Sequence, residues 1–259
     1  MSEAATCAVD GGIATITLSR PEARNRLDAQ GMADVVGHLA TCADDPAVRV
    51  VVLTGSGSTF CAGADLAAAA AGDAAGFAGS GPAAMVALLT ALLDHPKPTI
   101  AKVQGHVAGG GNGLVAACDL AIASEDALFA FSEVRLGVAP AVISVVCLMV
   151  MHRRAAQELF LTGERVDADR VLRAGLLTSV VPADGLDAAV AGYARLLSEG
   201  GPEALTAAKD LIRRIPALSR DDAFDEAATR SAALFSSAEA KEGMTAFLEK
   251  RAPAWVTTR

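Results

Sequence analysis

The chain has 259 residues, of which 52% are hydrophobic and 4% aromatic, and its formal net charge is −8 at neutral pH. This length and composition predict one large domain, or one with a smaller appended region, with a core of small aliphatic side chains. The acidic balance, without any basic stripe, argues against nucleic acid as a partner.

Cysteine usage and apolar runs indicate the compartment. The five cysteines lie far apart, at Cys7, Cys42, Cys61, Cys118 and Cys147. No pair has metal-ligand spacing, so we expect reduced thiols and no metal site. The N-terminus lacks the pattern of a secretory signal. The longest apolar run, residues 138–151, is too short to span a bilayer. We therefore expect a cytoplasmic protein without a membrane partner.

The first part of the chain alternates predicted strands and helices. Residues 8–16 form a hairpin around an Asp-Gly-Gly turn. Asp28 is placed to cap a helix that continues to about residue 43. The β-branched run at residues 48–54 predicts a buried strand. This order indicates right-handed crossovers and a parallel sheet.

An Ala/Gly-rich segment follows at residues 67–81. It has few large side chains with which to pack, so we interpret it as mobile, with a glycine-interrupted helix as the alternative. A helix is predicted at residues 82–93 and a buried strand at residues 99–103.

The remainder of the chain becomes helical after Gly185. Before it, strands are predicted at residues 120–123, 127–131 and 178–181, and helices at residues 140–150, 153–161 and 167–174. After it, helices are predicted at residues 186–197, 202–215, 221–235 and 239–250. The sequence Ser-Glu-Gly-Gly-Pro at residues 198–202 is the predicted boundary between a core of residues 1–198 and a helical region of residues 199–259.

Two glycine-containing turns could offer free backbone N–H groups. The first, GADL at residues 63–66, comes after the strand at residues 48–54, and the second, GHVAGGGNGLVAACD, spans residues 105–119. Glycine lets a backbone approach a ligand closely, and the first N–H groups of a helix have no internal partner. If the turns converge, two donors can form an oxyanion hole. Loosely packed strand-to-helix turns are the alternative.

The motifs resemble those of the enoyl-CoA hydratase/isomerase (crotonase) superfamily. The matching segments are FCAGADL, GHVAGGGNGL, SEVRLGVAP, LTGERVDADRVLRAGLLTSVVP and GMTAFLEKR, in family order between about residues 13 and 251. The resemblance implies an α/β crotonase (ClpP/crotonase-like) fold. In that fold a spiral of β-β-α units precedes a C-terminal helical trimerisation region, so a homotrimer or homohexamer is expected.

The resemblance also implies the catalytic groups. The backbone N–H groups of Ala64 and Gly110 fall on the family's oxyanion hole, and Glu133 falls on its second catalytic glutamate. Glu133 lies in a mostly apolar run, where an ionised carboxylate is costly unless it is paired or used in catalysis. A structural ion pair with Arg135 is the alternative.

Further site residues follow from the same resemblance. Coenzyme A, as part of a thioester substrate and not as a separate cofactor, is expected to contact Ala62, Asp65, Leu66, Arg24, Arg26, Phe247 and Lys250. For the two arginines, a solvated loop is the alternative. Phe247 and Lys250 match a C-terminal family pattern that often reaches a neighbouring subunit's ligand, with an ordinary surface helix as the alternative. The acyl pocket is expected at Gly109, Gly113, Pro140 and Ala141.

One departure from the family pattern bears on the reaction. Family hydratases carry a first glutamate in G-G-G-x-E, where this chain has Gly113. The remaining motifs still favour a lyase that adds water to a 2-enoyl-CoA in fatty-acid or branched-chain metabolism, such as a methylglutaconyl-CoA-type hydratase. A Δ3,Δ2-enoyl-CoA isomerase using one glutamate and a non-catalytic acyl-CoA binder are the alternatives.

Overall fold

The structure is a computed structural model that describes residues 3–65 and 77–256. Leu66 and most of the Ala/Gly-rich segment lie outside these residues, so its expected mobility stays a prediction. The strands are Ala5–Asp10 (β1), Ile13–Leu18 (β2), Val50–Gly55 (β3), Thr59–Cys61 (β4), Thr99–Val103 (β5), His106–Ala108 (β6), Leu120–Ser124 (β7), Leu128–Ala130 (β8), Arg165–Asp167 (β9) and Ser179–Val181 (β10).

The strands form two sheets that the chain builds alternately. The first has six strands in the order β1-β2-β3-β5-β7-β10, and the second has four in the order β4-β6-β8-β9. The β1–β2 hairpin and the β8–β9 pair are antiparallel, and the other pairs are parallel. The pairs β3–β4, β5–β6 and β7–β8 each contribute one strand to each sheet before a helix follows. This is the expected spiral of β-β-α units.

The helices agree with most of the predicted positions. They are Ala29–Asp44 (α1), Phe77–Leu93 (α2), Gly110–Ala117 (α3), Ala141–Val150 (α4), Arg153–Thr162 (α5), Ala168–Arg173 (α6), Leu186–Glu199 (α7), Pro202–Arg214 (α8), Arg220–Phe235 (α9) and Ala238–Leu248 (α10). Asp28 caps α1, because its Oδ1 accepts a hydrogen bond from Gly31 N at 2.7 Å. Among the described residues, no helix has the length and apolarity needed to cross a membrane.

The start of α2 differs from the prediction. The helix begins at Phe77 rather than at residue 82, so Pro82 lies inside it. Met85, Leu88 and Leu92 are buried on the side that packs against α1. This packing stabilises the predicted part of the helix, residues 82–93. The additional turn before it runs against the low helix propensity of Gly79, Gly81 and Pro82.

The C-terminal helices lie beside the core, and hydrogen bonds and ion pairs from several residues join the two parts. Arg49, just before β3, donates hydrogen bonds to Trp255 O and Gly200 O, both at 2.7 Å. The break between α7 and α8 falls at the predicted boundary. The division into a core of residues 1–198 and a separate helical region stays a prediction. Helices α8 to α10 expose several large apolar side chains: Ile212, Phe224, Phe235, Met244, Phe247 and Leu248.

Candidate active site

The two glycine-containing turns meet in the structure. Gly63 follows β4, and Gly109 and Gly110 follow β6, which pairs with β4 in the second sheet. A methyl carbon added at Gly63 would lie 2.7 Å from Ala108 O and 3.2 Å from Gly110 N. Real side chains do not tolerate the first of these distances. Gly63, at φ +84°, therefore permits the close approach of the two turns.

Each turn leaves one backbone N–H without an acceptor among residues 3–65 and 77–256. Gly110 is the first residue of α3, so its N–H has no intrahelical partner. Ala64 forms a bridge with Leu27 in which Leu27 N donates to Gly63 O at 2.7 Å. The neighbouring N–H groups are engaged: Ala62 N bonds Arg24 O, Gly63 N bonds Cys61 Sγ, and Gly109 N bonds Ala130 O. Ala64 and Gly110 are thus available as a pair of donors.

Glu133 lies on the other side of the glycine turn. It sits in a single 3-10 turn, Ser132–Leu136, directly after β8. Its Oε1 is 3.5 Å from where a methyl carbon at Gly109 would be. Its Oε2 is buried and has no hydrogen-bond partner within the described part of the chain. Burial raises the pKa of the carboxyl above its ordinary value, and the hydrogen bond from its own backbone N–H offsets only part of that shift.

The alternative ion pair of Glu133 with Arg135 is absent from the described part of the chain. Arg135 instead donates from Nε to Thr162 O at 3.1 Å, at the end of α5. Glu133 is therefore a half-buried, unpaired acid beside the glycine turn. A carboxyl group with a raised pKa in such a place is suited to proton transfer.

Asn112 joins the glycine turn to the strand that leads to Glu133. Its side chain is fully buried, and Nδ2 donates to Ala130 O at 2.9 Å and to Gly109 O at 3.3 Å. Ala130 O also accepts from Gly109 N at 3.1 Å. Since Ala130 ends β8 shortly before Glu133, these bonds fix the position of the Gly110 donor relative to the acid.

Gly113, where family hydratases carry their first glutamate, faces an apolar wall. A methyl carbon added there would lie 2.6 Å from Ile143 Cγ2 and 3.5 Å from Leu89 Cδ2. The other two predicted pocket residues are at the start of α4: Pro140 is buried, and Ala141 is exposed. Gly109 adjoins Glu133 as described above.

The residues expected to contact coenzyme A differ in their neighbours and in how far their charges are neutralised. Ala62 and Arg24 are neighbours, because Ala62 N donates to Arg24 O at 3.0 Å. Arg24 is exposed and has no ion-pair partner among the described residues. Arg26 is also exposed, but its Nε lies 3.1 Å from Asp65 Oδ2, so part of its charge is already neutralised. Leu66 lies outside the described residues, and its predicted contact stays a prediction.

The C-terminal residues Phe247 and Lys250 are not brought to Glu133 by any contact within one chain that the structure describes. Phe247 is 83% exposed at the end of α10, whose main packing is against α9. Lys250 follows α10 with φ +55°. Their expected contact with a thioester, which the family pattern places in a neighbouring subunit, stays a prediction.

The cysteine nearest the site is a packing residue. Cys61 is buried, and its Sγ accepts the Gly63 N–H at 3.5 Å. Burial raises the pKa of this thiol to about 12, so the nucleophilic thiolate is scarcely populated at neutral pH. By engaging the Gly63 N–H, Cys61 helps to shape the turn that presents the Ala64 N–H.

Sequence reasoning missed three residues that shape the site. No sequence pattern assigned a role to Asn112 or Ile143, and Cys61 was expected only to be a reduced thiol. A polar side chain inside a glycine-rich turn before a buried helix is the one available signal for Asn112. Ile143 belongs to an ordinary apolar helix pattern, and its contact with Gly113 depends on the crossing of α3 and α4.

We expect Asn112→Ala to uncouple the glycine turn from β8. The lost hydrogen bonds should lower the free energy of unfolding by about 1–3 kcal/mol. The substitution should also reduce kcat more than it changes KM, because the distance between Gly110 N and Glu133 is no longer fixed. Denaturant unfolding and steady-state kinetics measure both. The control Ser124→Ala removes the side-chain hydrogen bond to Asp126 from β7. A kcat equally unaffected in both variants would argue against the positioning role.

A spiral of β-β-α units with two backbone donors beside a half-buried glutamate is the arrangement of a crotonase-type enzyme. The sequence model of the enoyl-CoA hydratase/isomerase family matches residues 8–258. The chain therefore belongs to the enoyl-CoA hydratase/isomerase family, and it is an enzyme of that family.

Individual relatives agree with this assignment. Carnitinyl-CoA dehydratase of Proteus mirabilis is 36% identical over 265 residues, which cover 98% of this chain and 99% of that protein. A Mycobacterium tuberculosis protein named "Probable enoyl-CoA hydratase echA8" is 36% identical over 247 residues, which cover 94% of each chain. The solved enoyl-CoA hydratase of Mycobacterium smegmatis superposes with a TM-score of 0.92 at 34% identity, covering 99% of this chain and 100% of that one.

Proposed function

We propose that the protein adds water to the C2=C3 bond of a 2-enoyl-CoA thioester. The observation that supports this most directly is the position of Glu133, whose Oε1 adjoins Gly109 while the free N–H groups of Ala64 and Gly110 lie on the same turns. A thioester oxygen held by these two donors would place the adjacent carbons beside the acid. Ala64, Gly110 and Glu133 are therefore the proposed catalytic groups.

The proposed reaction uses one carboxylate twice. Ionised Glu133 accepts a proton from water as the water oxygen forms its bond to C3. The electron pair of the double bond moves towards the thioester oxygen, where the N–H groups of Ala64 and Gly110 stabilise the enolate. The protonated Glu133 then delivers its proton to C2, which restores the carbonyl and the carboxylate. The raised pKa of Glu133 makes its carboxylate a stronger base, which favours uptake of the proton from water.

The acyl group and pathway are a finer part of the proposal. Branched-chain or fatty-acid metabolism fits, and a methylglutaconyl-CoA-type hydratase is the form that the SEVRLGVAP segment favours. Arg24 and Arg26 would contribute positive charge for the coenzyme A phosphates, with Arg24 the freer of the two.

An isomerase is the second candidate, and a specific observation favours it. Gly113 and the Ile143 wall leave the described part of the site with one carboxylate, which suffices to remove a proton from C2 and return it to C4. A 3-enoyl-CoA substrate would then give conjugated product without hydration.

We also propose that the chain assembles as a homotrimer or a homohexamer in the cytoplasm. Phe224 and Phe235 are each 71% exposed on the C-terminal helices, and Phe247 is more exposed still. Exposed large apolar patches of this kind mark protein–protein contacts in soluble proteins. In such an assembly, Phe247 and Lys250 of one copy would approach the thioester bound by another.

A panel of straight, branched and carboxylated enoyl-CoA thioesters tests the proposal. We expect loss of the conjugated enoyl absorbance with at least one 2-enoyl-CoA, together with formation of a 3-hydroxyacyl product. Conjugated product from a 3-enoyl-CoA, with no hydration of any 2-enoyl-CoA, would favour the isomerase instead. Lack of turnover with every thioester would contradict both candidates.

A further inference from the structure

The space next to Gly113 is filled by atoms that cannot move out of the way independently. A methyl carbon at Gly113 would lie 2.6 Å from Ile143 Cγ2 and 3.1 Å from Ile143 Cβ. Ile143 is only 4% exposed. Its branch at Cβ restricts χ1, and Cβ itself is fixed by the backbone of α4. A side chain at Gly113 therefore requires a shift of helix α4 or the removal of Ile143.

The filled space belongs to the catalytic face of α3. Gly113 follows Gly110 by three residues, so these two positions are neighbours on the helix surface. Gly110 adjoins Gly63, and Gly109, the N-cap of the helix, adjoins Glu133 Oε1. The glutamate that family hydratases carry at position 113 would project from that face, into the volume that Ile143 and Leu89 occupy here.

We propose that Ile143 determines the chemistry of this site by excluding a second carboxylate. This inference rests on the proposed function and deepens it. Because the atoms that face Gly113 are hydrocarbon, this wall offers an entering water no acceptor and no second carboxylate. Glu133 is then the group that takes the proton of the water and returns a proton to carbon. Ile143 is a specificity-determining residue, since it acts by what it keeps out.

The proposal predicts that substitutions at positions 113 and 143 have non-additive effects on Tm, because the two side chains compete for the same volume. Gly113→Ala should lower Tm, because the new methyl group collides with Ile143. The matched control is Gly192→Ala in α7, where nothing lies within 4 Å of the added methyl carbon. That control should raise Tm by about 2–4 °C through its better helix propensity. In Gly113→Ala/Ile143→Ala, the loss of Tm should be smaller than the sum of the two single losses.

The catalytic part uses Gly113→Glu with and without Ile143→Ala. The single variant should lose most activity along with stability. In the double variant, the ratio of hydration to isomerisation should rise at least about tenfold, since a second general acid–base group contributes typically ~10²–10⁴-fold. Its pH profile of kcat/KM should also gain a second ionisation that the wild-type profile lacks. A merely structural role for Ile143 would not add an ionisation.

Two results would overturn the proposal. One is Gly113→Ala as stable as Gly192→Ala, or strictly additive Tm losses in the double variant. The other is a folded Gly113→Glu/Ile143→Ala enzyme with an unchanged reaction ratio and a single ionisation. If the wild type hydrates no thioester, the proposed function fails. The stability coupling and any hydration gained by the double variant still decide the role of Ile143.

Discussion

Replacing Glu133 by glutamine is expected to reduce the turnover of any accepted enoyl-CoA by about 10²–10⁴-fold. The amide keeps the size of the side chain but cannot take a proton from water or from C2. The described site holds no second carboxylate at position 113 to replace it. Single-turnover kinetics under saturating thioester measure the effect on the chemical step. Since binding depends mainly on other groups, KM should change little.

The matched control is Glu164→Gln, which makes the same replacement at an exposed glutamate after α5. It should have wild-type kcat and KM. Full turnover by Glu133→Gln under the same conditions would remove Glu133 from the mechanism.

The same substitution is expected to stabilise the protein near neutral pH. The pKa of Glu133 is raised by burial, so the folded state binds its proton more tightly than the unfolded state does. The contribution of this carboxyl is therefore fully present below its unfolded pKa of about 4.3 and is lost as pH rises through the raised folded pKa. Glutamine carries no such penalty. Thermal unfolding should show Glu133→Gln above wild type at pH 7, with the gap closing in acid.

The second large effect is expected at Gly63. In Gly63→Ala, the methyl carbon would lie 2.7 Å from Ala108 O, which is rigid backbone, and 3.2 Å from Gly110 N. The two turns must separate, which misaligns both donors of the proposed oxyanion hole. Removing one such donor costs about 10²–10³-fold in kcat, and we expect a loss in this range. Steady-state kinetics with a 2-enoyl-CoA measure it.

Two other glycines separate the causes of that loss. Gly12→Ala shares a positive φ, +81°, but lies in the β1–β2 hairpin and meets nothing closer than 3.4 Å. It should cost stability without lowering kcat. At Gly110 the added methyl meets mainly Met85 Cε, the mobile end of a flexible side chain, so Gly110→Ala should be milder than Gly63→Ala. If Gly12→Ala lowered kcat as much as Gly63→Ala, the oxyanion explanation would be wrong.

The sequence predicted the longer elements because their side chains carry clear patterns. The β-branched run of β3 and the apolar runs of β5 and β7 marked strands of the first sheet. The strands of the second sheet are three residues each, as in β4 and β6, and three residues cannot display an alternation. Their positions follow from pairing with distant segments. Of the second sheet, the sequence predicted only β8, as a strand at residues 127–131.

The parts of the candidate site that could be predicted are those with a recognisable local sequence pattern. Glycines at 63, 109 and 110 and an acid in an apolar run can all be recognised in one dimension. The contact of Ile143 with Gly113 and the hydrogen bond of Asn112 to Ala130 O cannot be recognised in this way, because each depends on how segments far apart in sequence pack together. The predicted start of α2 was also wrong, because Gly79, Gly81 and Pro82 all have low helix propensity and yet lie inside the helix.

Ala130 O accepts two hydrogen bonds, and this has a consequence for the effect of substitutions near the site. Gly109 N and Asn112 Nδ2 both bond that one oxygen, shortly before the chain reaches Glu133. One proposed donor, Gly110 N, and the proposed acid are therefore joined through a single carbonyl oxygen. The Gly63 turn is joined to them by the pairing of β4 with β6. A substitution that shifts Ala130 is therefore expected to displace Gly110 and Glu133 together.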